Sequence, residues 1–186
     1  LKAMPMDINQ YLKYAHCFIK DKKGFVWIST NNGLFKVKLA DIITAYEQDL
    51  VQIYYHYFGK DDGMETTEMN GGCEPCAIRL KNNIISFPTM DGLLWVNPEN
   101  TDVVLPSGEI YIDRLMVDDK QYIYDNASIQ LPGQVKKIDI ILAVDAWCKK
   151  ENLYIDYTLN NDKWQAVDMV SGEPKISFSN LSYGKY

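Results

Sequence analysis

The sequence predicts an all-β chain, and three observations carry that expectation. The 186 residues include thirteen Tyr, six Phe and four Trp, and aromatic and β-branched side chains suit pleated, half-buried strands better than helices. Two stretches share one pattern of short apolar runs broken by Asn-Gly or Asp-Gly turns, the strongest short-range signal for a hairpin. Beyond residue 108 come further short apolar runs with turn signals about every ten residues, the spacing of a sandwich.

The first stretch, residues 17–38, reads CFIK-DKKG-FVWIST-NNG-LFKVK, a three-stranded meander whose Asn31-Asn32-Gly33 supplies the positive φ values of a tight turn. The second, residues 80–98, reads LKNN-IISFPT-MDG-LLWVNP and superimposes on it without gaps, residue 33 falling on residue 92, an offset of 59. Two copies of one unit are present. In the first copy Phe25 and Trp27 point to one side of the sheet while Val26 and Ile28 point to the other. A sheet apolar on both faces must be covered on both. Stacked blades of a β-propeller meet that demand.

Between the copies, apolar positions 39, 42, 43 and 46 predict a short surface helix over 39–46. Residues 51–58 predict a tyrosine-rich strand and residues 61–63 a turn. After Pro98 the pattern changes. The polar segment 99–108, with Pro106, is the expected linker. The expected domains are therefore propeller blades over 1–102 and a β-sandwich of immunoglobulin or fibronectin-III type over 103–186. Its strands are expected at 110–117, 122–124, 128–131, 137–144, 153–159, 164–167 and 176–178.

Charge narrows the partners. The net charge of −6 is spread along the chain, and the short basic clusters (Lys20, Lys22 and Lys23; Lys149 and Lys150) stand beside Asp and Glu. No stripe exists to track phosphates, so nucleic acid is not an expected partner. No apolar run approaches the roughly 18–20 residues that span a bilayer; the longest, 138–147, is broken by Asp139 and Asp145. The first ten residues lack the layout of a signal peptide, so direct membrane insertion is not expected and any anchor or export signal is expected outside this sequence. Four cysteines are too few and scattered for a disulfide framework.

The motifs resemble those of a known family. Asp21-Lys22-Lys23-Gly24-Phe25-Val26-Trp27-Ile28-Ser29-Thr30-Asn31-Asn32-Gly33-Leu34 is similar to the two-component-regulator propeller repeat, D-x-x-G-x-h-W-h-G-T-x-x-G-h (h, hydrophobic), with Ser29 in place of glycine. Asp62-Gly63-Met64, Glu68-Met69-Asn70 and Gly92-Leu93-Leu94-Trp95-Val96-Asn97-Pro98 resemble the closing blade of the same sensors, with Trp95 one place early and Pro88 for a glycine. Tyr154, Tyr157, Leu159, Asp162, Trp164 and the ending Asn180-Leu181-Ser182-Tyr183-Gly184-Lys185-Tyr186 resemble the triple-tyrosine domain that follows the propellers. The resemblance implies a slice of the periplasmic region of a hybrid two-component histidine kinase, membrane-anchored and dimeric, in which propellers bind an oligosaccharide. It also implies that most blades and the last strands of the sandwich lie outside the sequence, and that kinase activity does too. Alternative expectations are a fragment of a propeller-type carbohydrate-active enzyme and a protein-binding adaptor.

Candidate sites follow from chemistry. Binding surfaces concentrate on loops, so Asn31, Asn32, Met90 and Asp91 at the two hairpin tips are the expected ligand contacts. Asp21, Gly24, Trp27, Gly33, Gly92, Trp95, Tyr154, Tyr157, Trp164 and Tyr186 are expected to be structural, with Trp27 and Trp95 in the blade core and Tyr154, Tyr157 and Trp164 in the sandwich core and its edge. Cys73-Glu74-Pro75-Cys76 has redox spacing but lacks the following helix that lowers a thiol pKa; a turn with thiols or a local disulfide is expected. His16 and His56 lie in strand-like contexts rather than on a phosphoacceptor helix. Asp61, Asp62, Glu65 and Glu68 do not match a calcium loop. No catalytic residue, metal or cofactor is expected.

Overall fold

The computed structural model describes residues 3, 7, 10–48, 53–103, 105–123, 128–131, 133–170 and 172–186. The fold is all-β apart from one α-helix and short 3-10 turns. The chain divides into two compact units, Leu1–Val104 and Leu105–Tyr186.

The first unit holds two antiparallel meanders. β1 (Ala15–Lys20), β2 (Phe25–Thr30) and β3 (Gly33–Lys38) pair in sequence order, and after helix α1 (Leu39–Gln48) strand β4 (His56–Phe58) completes the sheet. Residues 51 and 52 of the strand expected at 51–58 lie outside the described residues, and pairing begins at His56. The second sheet is β5 (Ile78–Arg79), β6 (Ile85–Thr89) and β7 (Gly92–Val96). The 59-residue offset holds in the backbone: Gly24 at φ 88° corresponds to Asn83 at φ 64°, and Gly33 at φ 136° to Gly92 at φ 138°. Asparagine is among the few residues other than glycine that enter the left-handed region readily.

One carboxylate organises the first repeat. Asp21, buried, accepts hydrogen bonds from the Phe25 N–H and the Trp27 indole N–H, each at 2.9 Å. This closes the Asp21-to-Phe25 turn and holds Trp27, which is fully buried and stacks on Phe58 at 5.4 Å. Lys36 stands opposite Trp27 on β3, on the same face. Its ammonium lies 4.5 Å from the Phe25 ring centre and 5.2 Å from that of Trp27, and donates to the Thr101 carbonyl at 2.7 Å. Burial pulls its pKa below the ordinary value, against the opposing pull of Asp21.

The two sheets stack with a definite sense. Trp27 and Leu34 from one face of the first sheet pack with Ile85, Phe87 and Val96 of the second, sealed by Met64 and Met69 from the connection. The opposite face of the first sheet buries Val26, Ile28, Phe35 and Val37; Phe35 lies against Tyr55 edge to face at 4.8 Å and against Tyr57 at 5.4 Å. Helix α1 buries Ala45 and leaves Ile43 and Tyr46 exposed, so only part of the predicted apolar stripe is covered.

Trp95 is a correction. It was expected in the blade core and is 63% exposed. By the offset it corresponds to Lys36, not to Trp27, and it pairs with Ser86, which occupies Trp27's place. Trp95, Leu93 and Ile78 stand on the face of the second sheet that corresponds to the Trp27 face of the first, and here they are exposed.

In the second unit, β8 (Ile110–Val117), β9 (Lys120–Tyr122), β10 (Lys137–Val144), β11 (Asp156–Tyr157), β12 (Gln165–Ala166), β13 (Asp168–Val170) and β14 (Glu173–Ser179) form a five-stranded antiparallel sheet, ordered β13-β14-β10-β8-β9, and a separate β11-β12 pair. Asp118 and Asp119, at φ 47° and 64°, make the two-residue turn between β8 and β9. One face of the large sheet is apolar. Ile140, Leu142, Ile176 and Phe178 pack there with Leu153, Ile155, Tyr157 and Val167. The period-2 burial of 153, 155 and 157 matches the strand expected at 153–159, but regular pairing is confined to Asp156–Tyr157. Residues 128–131 form no strand; the next residue is Pro132, which cannot donate to a ladder. Residue 124 of the strand expected at 122–124 lies outside the described residues.

One aromatic differs from expectation. Trp164 is 71% exposed, because the inward positions of the β11-β12 region are taken by Ile155, Tyr157 and Val167. Tyr186 is half exposed, its hydroxyl donating to the Ser182 carbonyl at 2.8 Å. Tyr157 lies edge to face with Phe178 at 5.8 Å and donates to Gln165 at 2.9 Å.

The other face of the large sheet carries a polar cluster centred on Asp139. Burial alone would push this carboxyl up; the Lys137 ammonium at 2.7 Å, the Ser177 hydroxyl at 2.7 Å and Lys175 at 3.8 Å more than offset that and hold it below the usual carboxylate range. A carboxyl with a depressed folded-state pKa stabilises the fold above the unfolded-state value and loses that contribution as pH falls through its own. Asp139→Ala is therefore expected to cost about 1.5 kcal/mol near neutrality, with the gap between variant and parent closing below about pH 4. Denaturant melts across a pH series check this.

Candidate functional site

The two hairpin tips named by the sequence are built alike. The Thr30 hydroxyl accepts from the Asn32 N–H at 2.9 Å and donates to the Gly33 carbonyl at 3.3 Å. The Thr89 hydroxyl accepts from the Asp91 N–H at 3.2 Å and donates to the Gly92 carbonyl at 3.2 Å. A threonine before each turn thus satisfies backbone groups that the strand ladder leaves over. Asn31, Met90 and Asp91 are exposed and Asn32 is half-buried.

The tips are joined through Glu68-Met69-Asn70. The Met69 N–H donates to the Thr30 carbonyl at 3.2 Å, the Asn70 N–H to the Pro88 carbonyl at 2.9 Å, and the Met90 N–H to the Glu68 carbonyl at 3.1 Å. One short segment therefore ties the end of β2 to the end of β6, with Met69 buried beneath it. His16 adds a side: its Nε2 lies 2.6 Å from Asn31 Oδ1, and its ring rests on the backbone of Gly71, where a Cβ would collide with it. Asn70 accepts from the Gly72 N–H at 3.0 Å. The result is one end of the unit lined by His16, Asn31, Glu68, Asn70, Met90 and Asp91. Its chemistry is hydrogen bonding by amide, imidazole and carboxylate beside one thioether.

Sequence reasoning named the tips and missed their bridge. The signal was present in the Glu68-Met69-Asn70 motif, whose backbone makes the connections and whose central side chain anchors it. His16 carries no local signal, since its partner Asn31 lies 15 residues on.

The acidic cluster does not form a cage. Asp62 accepts from the Gly59 N–H at 2.7 Å, capping a 3-10 turn. Among the described residues no three His, Cys, Asp or Glu side chains converge where they could hold a metal ion. No helix among them is long and apolar enough to cross a membrane. In the second unit a groove of about 420 Å³ is lined by Asp113, Arg114, Ile141, Cys148, Lys150 and Glu173. Arg114 is already paired there, at 2.9 Å to Asp113 and 3.0 Å to Glu173.

All four cysteines are free thiols. Cys73 is exposed, with its sulfur 3.6 Å from the Asn70 carbonyl, and Cys76 is half-buried, 3.7 Å from the His16 carbonyl. Burial, together with a hydrogen bond that the Cys17 thiol donates to Cys76, pushes the Cys17 thiol up to about 12. Cysteine catalysis needs the opposite shift.

No protein-family model matches the chain, and no curated protein matches it. Solved structures do. The extracellular domain of BT3049 from B. thetaiotaomicron, described as a hybrid two-component system, matches over 90% of this chain at 17% identity with a TM-score of 0.46. The extracellular domain of BT4673 from the same organism, described as a one-component system, matches over 92% at 14% identity with a TM-score of 0.30. The chain spans 22% of the length of each.

Proposed function

We propose that this chain is part of the extracytoplasmic sensor region of a two-component system, where it joins ligand-sensing blades to a β-sandwich that passes the signal towards a membrane helix and kinase. The observation that carries this reading is the repeat itself: two meanders with the propeller-sensor motif, the same turn chemistry and one stacking sense. The Asp21–Trp27 hydrogen bond gives the motif's aspartate and tryptophan a physical reason to occur together. The ligand class is an oligosaccharide, whose hydroxyls suit the amide and carboxylate groups around the two tips. Signalling is a population shift, in which ligand favours one arrangement of a dimer. The chain itself performs no catalysis in this reading.

Because two blades supply only part of a propeller face, the 186-residue chain is expected to bind oligosaccharides weakly or not at all, and the complete extracellular region to bind them. Calorimetric titration of both with defined polysaccharide digests checks this. Tight binding by the short chain alone would overturn the division of labour. The exposed Ile78, Leu93 and Trp95 face also makes self-association of this chain the expected behaviour. Light scattering over a concentration series should show it, and Leu93→Ser with Trp95→Ser should reduce it.

A further inference from the structure

In the first unit Cys17 meets the distant Cys73-Glu74-Pro75-Cys76 segment. Cys76 lies against the carbonyl of His16, 60 residues away, and Cys17 follows His16 on β1. The Cys17 thiol is buried and hydrogen-bonds that of Cys76, while Cys73 is exposed to solvent. Cys73 and Cys76, despite their adjacent spacing, have separate partners: one sulfur lies by the Asn70 carbonyl, the other by the His16 carbonyl.

We propose that Cys17 and Cys76 are a redox pair that closes into a disulfide, stapling β1 of the first sheet to the loop that leads into β5 of the second. The exposed Cys73 is the entry thiol. As thiolate it attacks an external organic disulfide, forming a mixed disulfide and expelling one external thiolate. Cys76 attacks the Cys73 sulfur and releases the second external thiol. Cys17 then attacks Cys76, returning Cys73 to its reduced form. In total Cys17 and Cys76 lose two electrons and two protons, and one external disulfide becomes two thiols. The high pKa of Cys17 makes its attack the slow step, since the thiolate is the nucleophile.

The bond would close a loop that contains β2, β3, α1 and β4, so it constrains the unfolded chain strongly. It would also fix the loop that carries Gly71 against His16, beside the candidate ligand end. The inference does not depend on the sensor reading. A compartment that sustains disulfides would keep the staple closed.

The test is oxidation of the 186-residue chain with oxidised glutathione, followed by tryptic mapping without reduction and by thermal melts. Cys73 and Cys76 share one tryptic peptide, so Cys73→Ser is needed to tell them apart. Expected is a cross-linked pair of the Cys17 peptide and the 61–79 peptide, formed by the parent and, more slowly, by Cys73→Ser. Oxidation should raise the melting temperature by about 5 °C or more. The rise should vanish with dithiothreitol and be absent in Cys17→Ala and Cys76→Ser. If Cys17→Ala fails to fold, Cys76→Ser carries the comparison, because its side chain is only half-buried. A Cys73–Cys76 bridge as the sole product, or a Cys17–Cys76 bridge that leaves the melting temperature unchanged, overturns the proposal.

Discussion

Trp27→Ala is expected to lower the unfolding free energy by about 3–5 kcal/mol, the cost of emptying a large buried aromatic site, whereas Trp95→Ala should stay within about 0.5 kcal/mol of the parent. Both tryptophans stand in β-strands of repeated meanders, and the contrast comes from which face is covered. Trp27 is fully buried between the two sheets, stacked on Phe58 and packed with residues of both strands and the connection. Trp95 is 63% exposed on the far face of the second sheet. Chemical denaturation of the two variants, read by circular dichroism so that loss of a fluorophore does not matter, checks the difference. Equal costs would mean that the stacking sense is wrong.

Asp21→Ala should cost about 2–4 kcal/mol, more than an ordinary hydrogen-bond deletion. The substitution leaves the buried Trp27 indole N–H and the Phe25 N–H without their acceptor, and an orphaned buried donor carries its full desolvation penalty. It also removes the carboxylate that favours the charged form of the buried Lys36 ammonium. Asp21→Asn keeps one oxygen acceptor and should recover roughly half of the loss. Melts of the two variants side by side separate the acceptor from the charge. If alanine and asparagine proved equally harmless, the motif aspartate would have no role in holding the tryptophan.

The local chemistry of the first unit was legible because its turns require special residues. Asn32-Gly33 and Asp91-Gly92 marked both hairpins, and the threonine before each proved to satisfy the turn's backbone. The left-handed position at Asn83 was visible only through its correspondence with Gly24. Which face of a strand is covered is a tertiary fact, so alternation could place Trp95 on a face but could not say what lay against it. The same holds for Trp164, whose motif position said nothing of the inward places held by Ile155 and Tyr157. In the second unit long strands such as Ile110–Val117 and Lys137–Val144 were read to the residue. Short ones were not: two-residue pairings at Asp156–Tyr157 and Gln165–Ala166 leave almost no periodic trace. The approach of Cys76 to Cys17 had no sequence signal at all, because the CxxC spacing pointed to its local neighbour instead.

The central claim is that the two sheets are successive blades of one propeller stacked in a single sense, so that the face bearing Ile78, Leu93 and Trp95 is a blade-to-blade face. Oxidative footprinting of Trp95, in this chain at a concentration where it is monomeric and in the complete extracellular region, tests it most directly. The account predicts heavy labelling in the short chain and strong protection in the longer protein, with Trp27 protected in both. Equal labelling of Trp95 in both would contradict it.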